Sequence, residues 1–375
     1  MNSKRPEHVA WGMRRIAALM ACVLIAGGCS QGSPADNAAP SPPPSTTGDN
    51  PRPIPSVVPT VGAPPPTDNL PLAAEPQSAP PQTAPVPGKI VDVGKAPEGV
   101  VVDAATRTVA VAKRDPNELV LINVDSGEIT NRVPLPGFVR HLQLASPGGP
   151  VLVPVESANA LVRVELPDGR PVSQVLTGIV PHDASEAANG TVFVANEQGG
   201  TVAVLRGLDV VKVFANSVQP AGLAAVGTSM GNIDVRKNDL TVFDTKDLNI
   251  VGSTPAGDGP THLVADKHGR LIATDTRGDA VRVFDPLPAP HQVGEIAQPG
   301  GPYGITYDPT RDLLWVASSG TNEVVGYDMS QPTPREVRRL PTVQNPYTLG
   351  VDATTGRLFI AGVTGGVVQI VDPPT

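Results

Sequence analysis

The sequence predicts an all-β fold, a seven-bladed β-propeller of four-stranded blades, and three observations carry that prediction. First, an opening motif recurs seven times: PEGVVVD (97–103), VRHLQLA (139–145), PHDASEA (181–187), PAGLAAV (220–226), PTHLVAD (260–266), PYGITYD (302–308) and PYTLGVD (346–352). The starts lie 42, 42, 39, 40, 42 and 44 residues apart. Second, each opening is followed by the same succession of strands and turns. Third, the two ends of the repeat array complement each other.

After the opening comes an Asp-led turn, as in DAATR (103–107), DPTRD (308–312) and DATTGR (352–357). An alternating second strand follows, for example TVAVA (108–112), TVFVA (191–195), LLWVA (313–317) and RLFIA (357–361). Another turn leads to a third strand, as in ELVLINVD (118–125), DLTVFD (239–244) and VVQIVD (367–372). A more polar fourth strand, such as GEITNRVPLPG (127–137), returns to the next unit. Val and Ile at every second position between Gly, Asn and Asp form the strand-and-turn signature, and helical spacing is absent from the array. Four short antiparallel strands per unit of ~41 residues is the composition of a propeller blade. A single unit would expose both faces of a small sheet, so stacking around an axis is what buries its apolar rows.

The seventh unit runs out after its third strand, at Asp372, while KIVDVG (89–94) stands unassigned before the first unit. Pairing that segment with the last unit closes the ring and leaves no open sheet edge. Two units depart from the pattern. Val139 replaces the opening proline of the second, and the stretch from Gly227 to Asp239 in the fourth reads as irregular.

The first 28 residues read as an address. Lys4, Arg5, Arg14 and Arg15 stand against Glu7, and the apolar run Ile16 to Gly28 follows. That run is too short to cross a ~30 Å hydrocarbon layer as a helix. A basic head, a short apolar stretch and small residues at its end make a secretory signal. Ala26-Gly27-Gly28-Cys29 resembles a bacterial lipobox, with Ala where Leu is usual. The resemblance implies that Cys29 is acylated, carries palmitate-type chains and becomes the first residue of the mature protein; a plain signal peptide with an incidental cysteine is the alternative. Two chains anchor a protein stably where one is marginal. The expected location is the extracytoplasmic side of the cell membrane. Cys22 would leave with the signal, so no thiol remains for a disulfide, a nucleophile or a metal site.

From Ser30 to Gly88 the composition shifts: 18 of 59 residues are proline and five are charged, with no apolar period. Such a segment buries too little surface to offset the cost of ordering it, and polyproline II character is expected. Its reach lies between roughly 40 Å coiled and roughly 180 Å extended. The expected organisation is therefore a signal peptide at 1–28, a lipidated cysteine and tether at 29–88, and a propeller at 89–375. The tether reads as a spacer, and as a sharper possibility Ser45, Thr46 and Thr47 offer O-glycosylation sites. The whole chain carries a net charge of −8, and an acidic balance excludes a protein that neutralises nucleic-acid phosphates. Losing four positive and one negative charges with the signal takes the mature chain near −11.

The repeats resemble the YVTN-type and YncE-like seven-bladed propellers, related in pattern to NHL repeats. The matching elements are the Pro-x-Gly/His opening, the Asp turn, second strands ending in Val-Ala, and third strands of the form V-x-V-x-D. They span residues 89–372. The resemblance implies a propeller fold, in a family that includes binding modules and lyase-like enzymes.

In a propeller the connection into each inner strand converges on the channel mouth. The second and third opening residues should form a ring there: Glu98-Gly99, Arg140-His141, His182-Asp183, Ala221-Gly222, Thr261-His262, Tyr303-Gly304 and Tyr347-Thr348. Three of the five histidines after residue 88 fall in these positions. A polar funnel of Glu98, Arg140, His141, His182, Asp183, His262, Tyr303 and Tyr347 is the candidate ligand site. An imidazole beside a carboxylate acts as a general base or holds a divalent metal, and His182, Asp183 and His262 are the candidates for catalysis. Tyr and Arg orient a polar ligand. His141 and His262 equally fit a structural role, hydrogen-bonded to a neighbouring blade's backbone, while His268 and His291 fall in turns. No cofactor is called for, and a divalent metal in the channel stays open. TGGVV (364–368) and EQGGTV (197–202) lead into no helix and read as hairpin turns, not phosphate cradles.

These features predict a lipid-anchored binding or scaffold module that contacts the membrane through its anchor and engages an envelope protein, cell-wall component or polar ligand. The alternative is a lyase- or lactonase-like enzyme with the mouth histidines in its active site.

Overall fold

Alternating Val and Ile rows make strands whose two faces both need cover, and the chain provides it by turning each sheet against the next. In the computed structural model, which describes residues 67, 69–83 and 85–373, the strands form seven four-stranded antiparallel sheets. Six sheets are built from four consecutive strands. The seventh joins Pro346–Val351, Leu358–Gly362 and Val367–Val371 to Lys89–Asp92, the strand from the other end of the array. Lys89 pairs with Ile370 and Asp92 with Val367, so the ring closes as the sequence predicts.

Strand parity explains the core. Thr108–Lys113, the second strand of blade 1, is buried at every position. Ala110 and Ala112 pack on Val151 and Val153 of blade 2, whereas Val109 and Val111 pack on Phe359 and Ala361 of blade 7. Successive side chains point to opposite faces of a sheet, so one strand serves two interfaces. Seven apolar clusters repeat this arrangement, one between each pair of neighbouring blades. The fourth strands are mostly exposed, as in Ile129–Pro134, in keeping with their polar sequence.

The two departing units behave differently. Blade 2, without its opening proline, has an inner strand of only two residues, Gln143–Leu144. The stretch in blade 4 is a regular hairpin of Ser229–Asp234 and Asp239–Asp244. Its turn is ordered by the Asp234 carboxylate, which accepts the backbone N–H groups of Val218, Arg236 and Lys237 at 2.6, 3.0 and 2.9 Å. The lipobox, Cys29, the signal segment and Ser45 to Thr47 lie outside the described residues. Residues 69–83 and 85–88, which composition assigns to the tether, are seated on the propeller.

The first strands of the blades neighbour one another around the ring and wall a central channel. At blades 3 to 7 the ladder between first and second strands slips directly after the opening proline, at Pro181, Pro220, Pro260, Pro302 and Pro346. Such bulges re-aim side chains, and here they do so at the channel mouth.

Candidate ligand site in the central channel

The structure brings several of the expected mouth residues together, and it divides them between two sites. Residues in the second opening position turn toward the face that carries the hairpins between second and third strands. Residues in the third position, His141, Asp183, His262 and Thr348 among them, line the channel beneath.

On the upper face, Arg140 is the hub. Its Nε lies 2.5 Å from Glu156 Oε1 and its Nη2 also bonds Glu197 Oε2. His182 Nδ1 stands 3.3 Å from Glu156 Oε1 and 3.6 Å from Glu197 Oε2. Gln219 donates to Glu197 Oε1 at 3.0 Å, and Glu98 pairs with Arg114 at 2.8 Å. Burial works against each of these charges, yet mutual pairing prevails for two of them: the Arg140 guanidinium is held above its ordinary pKa, and His182 and Arg140 hold Glu156 below the usual carboxylate range. For Glu98 burial wins over Arg114 and pushes the carboxyl up. The Arg140–Glu156–Glu197 centre of this cluster is therefore charged and ordered, and its charges answer one another.

Glu156 and Glu197 were not among the residues expected here. EQGG was read only as a turn, and its hairpin role holds, but its first residue belongs to the site. The signal is a second sevenfold series, the residue directly after each second strand: Arg114, Glu156, Glu197, Val235, Thr276, Ser319 and Val363. Each donates its backbone N–H to a residue of the preceding connection, as Glu156 does to Phe138 O at 3.1 Å and Glu197 to Val180 O at 2.8 Å. That bond pins the residue next to the mouth.

Beneath lies a cavity of about 480 Å³, walled by Val100, Leu144, Val264 and Leu349 and reaching the turns after the inner strands at Pro309 and Ala353. A stack of rings roofs it. His141 lies 4.4 Å from His182 and 4.4 Å from His262, and Tyr303 meets His262 edge-on at 4.4 Å. Tyr347 continues the row at 5.6 Å from Tyr303. The expected backbone hydrogen bonds from His262 are not made: the residue is 6% exposed, and neither ring nitrogen has a partner among the described residues. Burial among like neighbours holds His141 well below its ordinary pKa and His262 down at about 3, so both are neutral imidazoles at pH 7. Burial and the nearby acids push Tyr303 and Tyr347 upward, so both phenols stay protonated.

Asp183 sits beside this roof. It accepts the backbone N–H of Leu223 at 2.8 Å and of Ala184 at 2.8 Å, and the Gln143 amide at 3.0 Å. Burial nonetheless raises its pKa to about 6. His182 and Asp183, adjacent in sequence, thus serve opposite sides of the roof. His268, in the turn after the inner strand of blade 5, bonds Asp312 at 2.8 Å, and His291, which opens the strand His291–Ala297 rather than a turn, lies exposed at 3.0 Å from Ala289 O. Among the described residues no group of three or more His, Cys, Asp or Glu is arranged to hold a metal ion.

No protein-family model matches the chain, and no curated protein matches it in sequence. Solved structures do match in shape. Hydrazine synthase of Kuenenia stuttgartiensis aligns at 13% identity with a TM-score of 0.64, over 74% of this chain and 96% of that one. The β-propeller domain of Cps50 (Swd1) from Myceliophteria thermophila aligns at 13% and 0.65, over 77% and 100%. Virginiamycin B lyase from Staphylococcus aureus aligns at 17% and 0.61, over 76% and 98%. At these identities the likeness shows the seven-bladed propeller fold alone.

Proposed function

We propose that the chain is a ligand-binding propeller, held by lipid at Cys29 on the extracytoplasmic side of the cell membrane, that takes a small uncharged ligand into its central channel. The observation that carries this reading is His262, buried at the roof of a cavity of about 480 Å³ with neither ring nitrogen partnered among the described residues. An unpaired buried polar group costs about 1–3 kcal/mol, and a ligand that completes it recovers that cost. Polar groups converge here between apolar walls: Gln143, Asp183, Ser185 and Thr348 line the cavity beside Val100, Leu144, Val264 and Leu349, and such convergent polar groups are what orient a small molecule in its site. His262 offers one donor and one acceptor, and Asp183 and Gln143 stand nearby. The cationic Arg140 is committed to the upper face and does not line the channel, so the channel favours an uncharged molecule that carries amide- or hydroxyl-like groups beside its apolar part.

The test is a thermal-shift screen of the purified chain against uncharged small molecules, repeated with His262→Phe. Hits that stabilise the native chain and lose their effect in His262→Phe support the reading; hits unaffected by the change sink it. Mass spectrometry of the mature N-terminus tests the anchor, with diacylated Cys29 expected.

A lyase-like enzyme is the second reading, favoured by the His182–Glu156 contact of 3.3 Å, the geometry of an imidazole backed by a carboxylate. A virginiamycin B lyase among the structural neighbours agrees with that reading at the level of fold. Turnover that survives His262→Phe but not His182→Ala would favour it.

A further inference from the structure

The segment before the propeller crosses the upper face in an arc from blade 4 to blade 7. Its backbone carbonyls are taken one after another by side chains of the blades. Arg236 bonds Pro71 O, and also Leu70 O at 3.3 Å, while Arg277 reaches Leu72 O at 2.6 Å. Asn345 donates to Gln77 O at 3.2 Å, Gln344 to Ala79 O at 3.1 Å and Asn322 to Pro80 O at 3.0 Å. In return Gln77 donates its backbone N–H to Ser319 Oγ at 2.9 Å.

Small residues make the fit possible on both sides. Ala74 and Ala79 are each 8% exposed, although Leu72 between the contacts is 76% exposed. A Cβ on Gly259 would stand 2.7 Å from the Cβ of Ala74, and one on Gly320 would stand 2.7 Å from Gln77 Oε1. Proline-rich chain has no internal hydrogen bonds and presents its carbonyls outward, so it is read by side-chain donors along a groove. The segment brings two small methyl anchors and a row of carbonyls; it buries no large side chain among Pro71 to Gln82. Attachment of that kind is modest in strength, and the covalent link to the blades strengthens it for the in-chain segment.

We infer that the face of blades 4 to 7 is a receptor groove for an extended Pro/Ala-rich polypeptide, filled in the resting chain by its own residues 71–82. An extended strand of the same chemistry from another chain competes for it. The in-chain occupant has the advantage of an effective concentration in the millimolar range, typical of a short linker.

The experiment measures fluorescence anisotropy of a labelled peptide of residues 69–83 against the full chain and three variants. Ala74→Glu with Ala79→Glu spoils the in-chain anchors and leaves the groove intact. A second release variant replaces residues 71–82 with a Gly-Ser run of equal length and touches no blade residue. The third adds Arg277→Ala and Gln344→Ala to whichever release variant keeps the wild-type melting transition. Both release variants should bind the peptide at least tenfold more tightly than the wild type, and the groove substitutions should weaken that binding at least fivefold. A scrambled peptide should not bind. The inference is overturned if the peptide binds no release variant, binds wild type and release variants equally, or is indifferent to loss of Arg277 and Gln344. None of these outcomes depends on ligand binding in the channel.

Discussion

The two sides of the histidine roof draw on neighbouring positions of one repeated opening motif and differ in one physical respect. Above it, Arg140 pairs with Glu156 and Glu197, and His182 Nδ1 stands 3.3 Å from Glu156 Oε1. Below it, His262 has no partner at either nitrogen among the described residues, and Asp183 is held by a few bonds yet pushed toward neutrality by burial. A buried network satisfied within itself specifies structure; a buried group left unsatisfied at a cavity points to something that binds there. The difference predicts that the upper cluster matters for stability and the lower one for ligand.

Arg140→Ala puts the heaviest strain on that contrast. It leaves Glu156, 2% exposed, and Glu197 beside each other without their shared cation, and removal of one partner from a buried ion pair costs about 3–5 kcal/mol. Chemical denaturation should show a loss of that order; a loss under ~1 kcal/mol would erase the distinction. The pH dependence comes next. His262 is depressed to about 3 in the fold, while its unfolded counterpart takes up a proton near pH 6.5. Stability should therefore fall as pH drops below about 6.5, because the unfolded chain binds the proton first. Asp183 works the opposite way: its folded pKa of about 6 lies above the unfolded ~3.9, so its stabilising contribution grows as pH falls through that window. Denaturation between pH 7 and 4 should be steeper for Asp183→Asn and shallower for His262→Phe than for the parent.

A smaller effect is expected from His262→Phe at pH 7. Replacing unpaired polar atoms with an apolar ring of similar shape should leave stability within about 1 kcal/mol or raise it, while removing any channel ligand's effect. The smallest is the Glu98–Arg114 pair, whose members are 14% and 35% exposed. A double-mutant cycle should give a coupling of about 1 kcal/mol or less. A coupling of several kcal/mol would place that pair with the Arg140 network instead.

Most of the architecture was legible because it is periodic. The opening motif, the strand alternation and the surplus strand at 89–94 fix the number of blades and the closure without any side-chain geometry. The site was legible only in part. His141, His182, Asp183 and His262 were located on the axis from their place in the repeat, but the side each one faces was not. Bulges after Pro181 and Pro260 change the alternation at the residues that matter, and a periodic reading assumes none. Glu156 and Glu197 lie 16 and 57 residues from Arg140, and no local spacing links them. Pro71 to Gln82 carry the composition of a free spacer; their seat exists because Gly259 and Gly320 leave room and side-chain donors line the arc.

The order and number of the strands follow from the chain itself, since a two-residue period and a repeated turn are local facts that any stretch displays on its own. Which charges meet across blades, which imidazole goes without a partner and where the proline-rich arc settles are set by the rotation of one sheet against the next. Those contacts join residues that only closure of the ring brings within bonding distance.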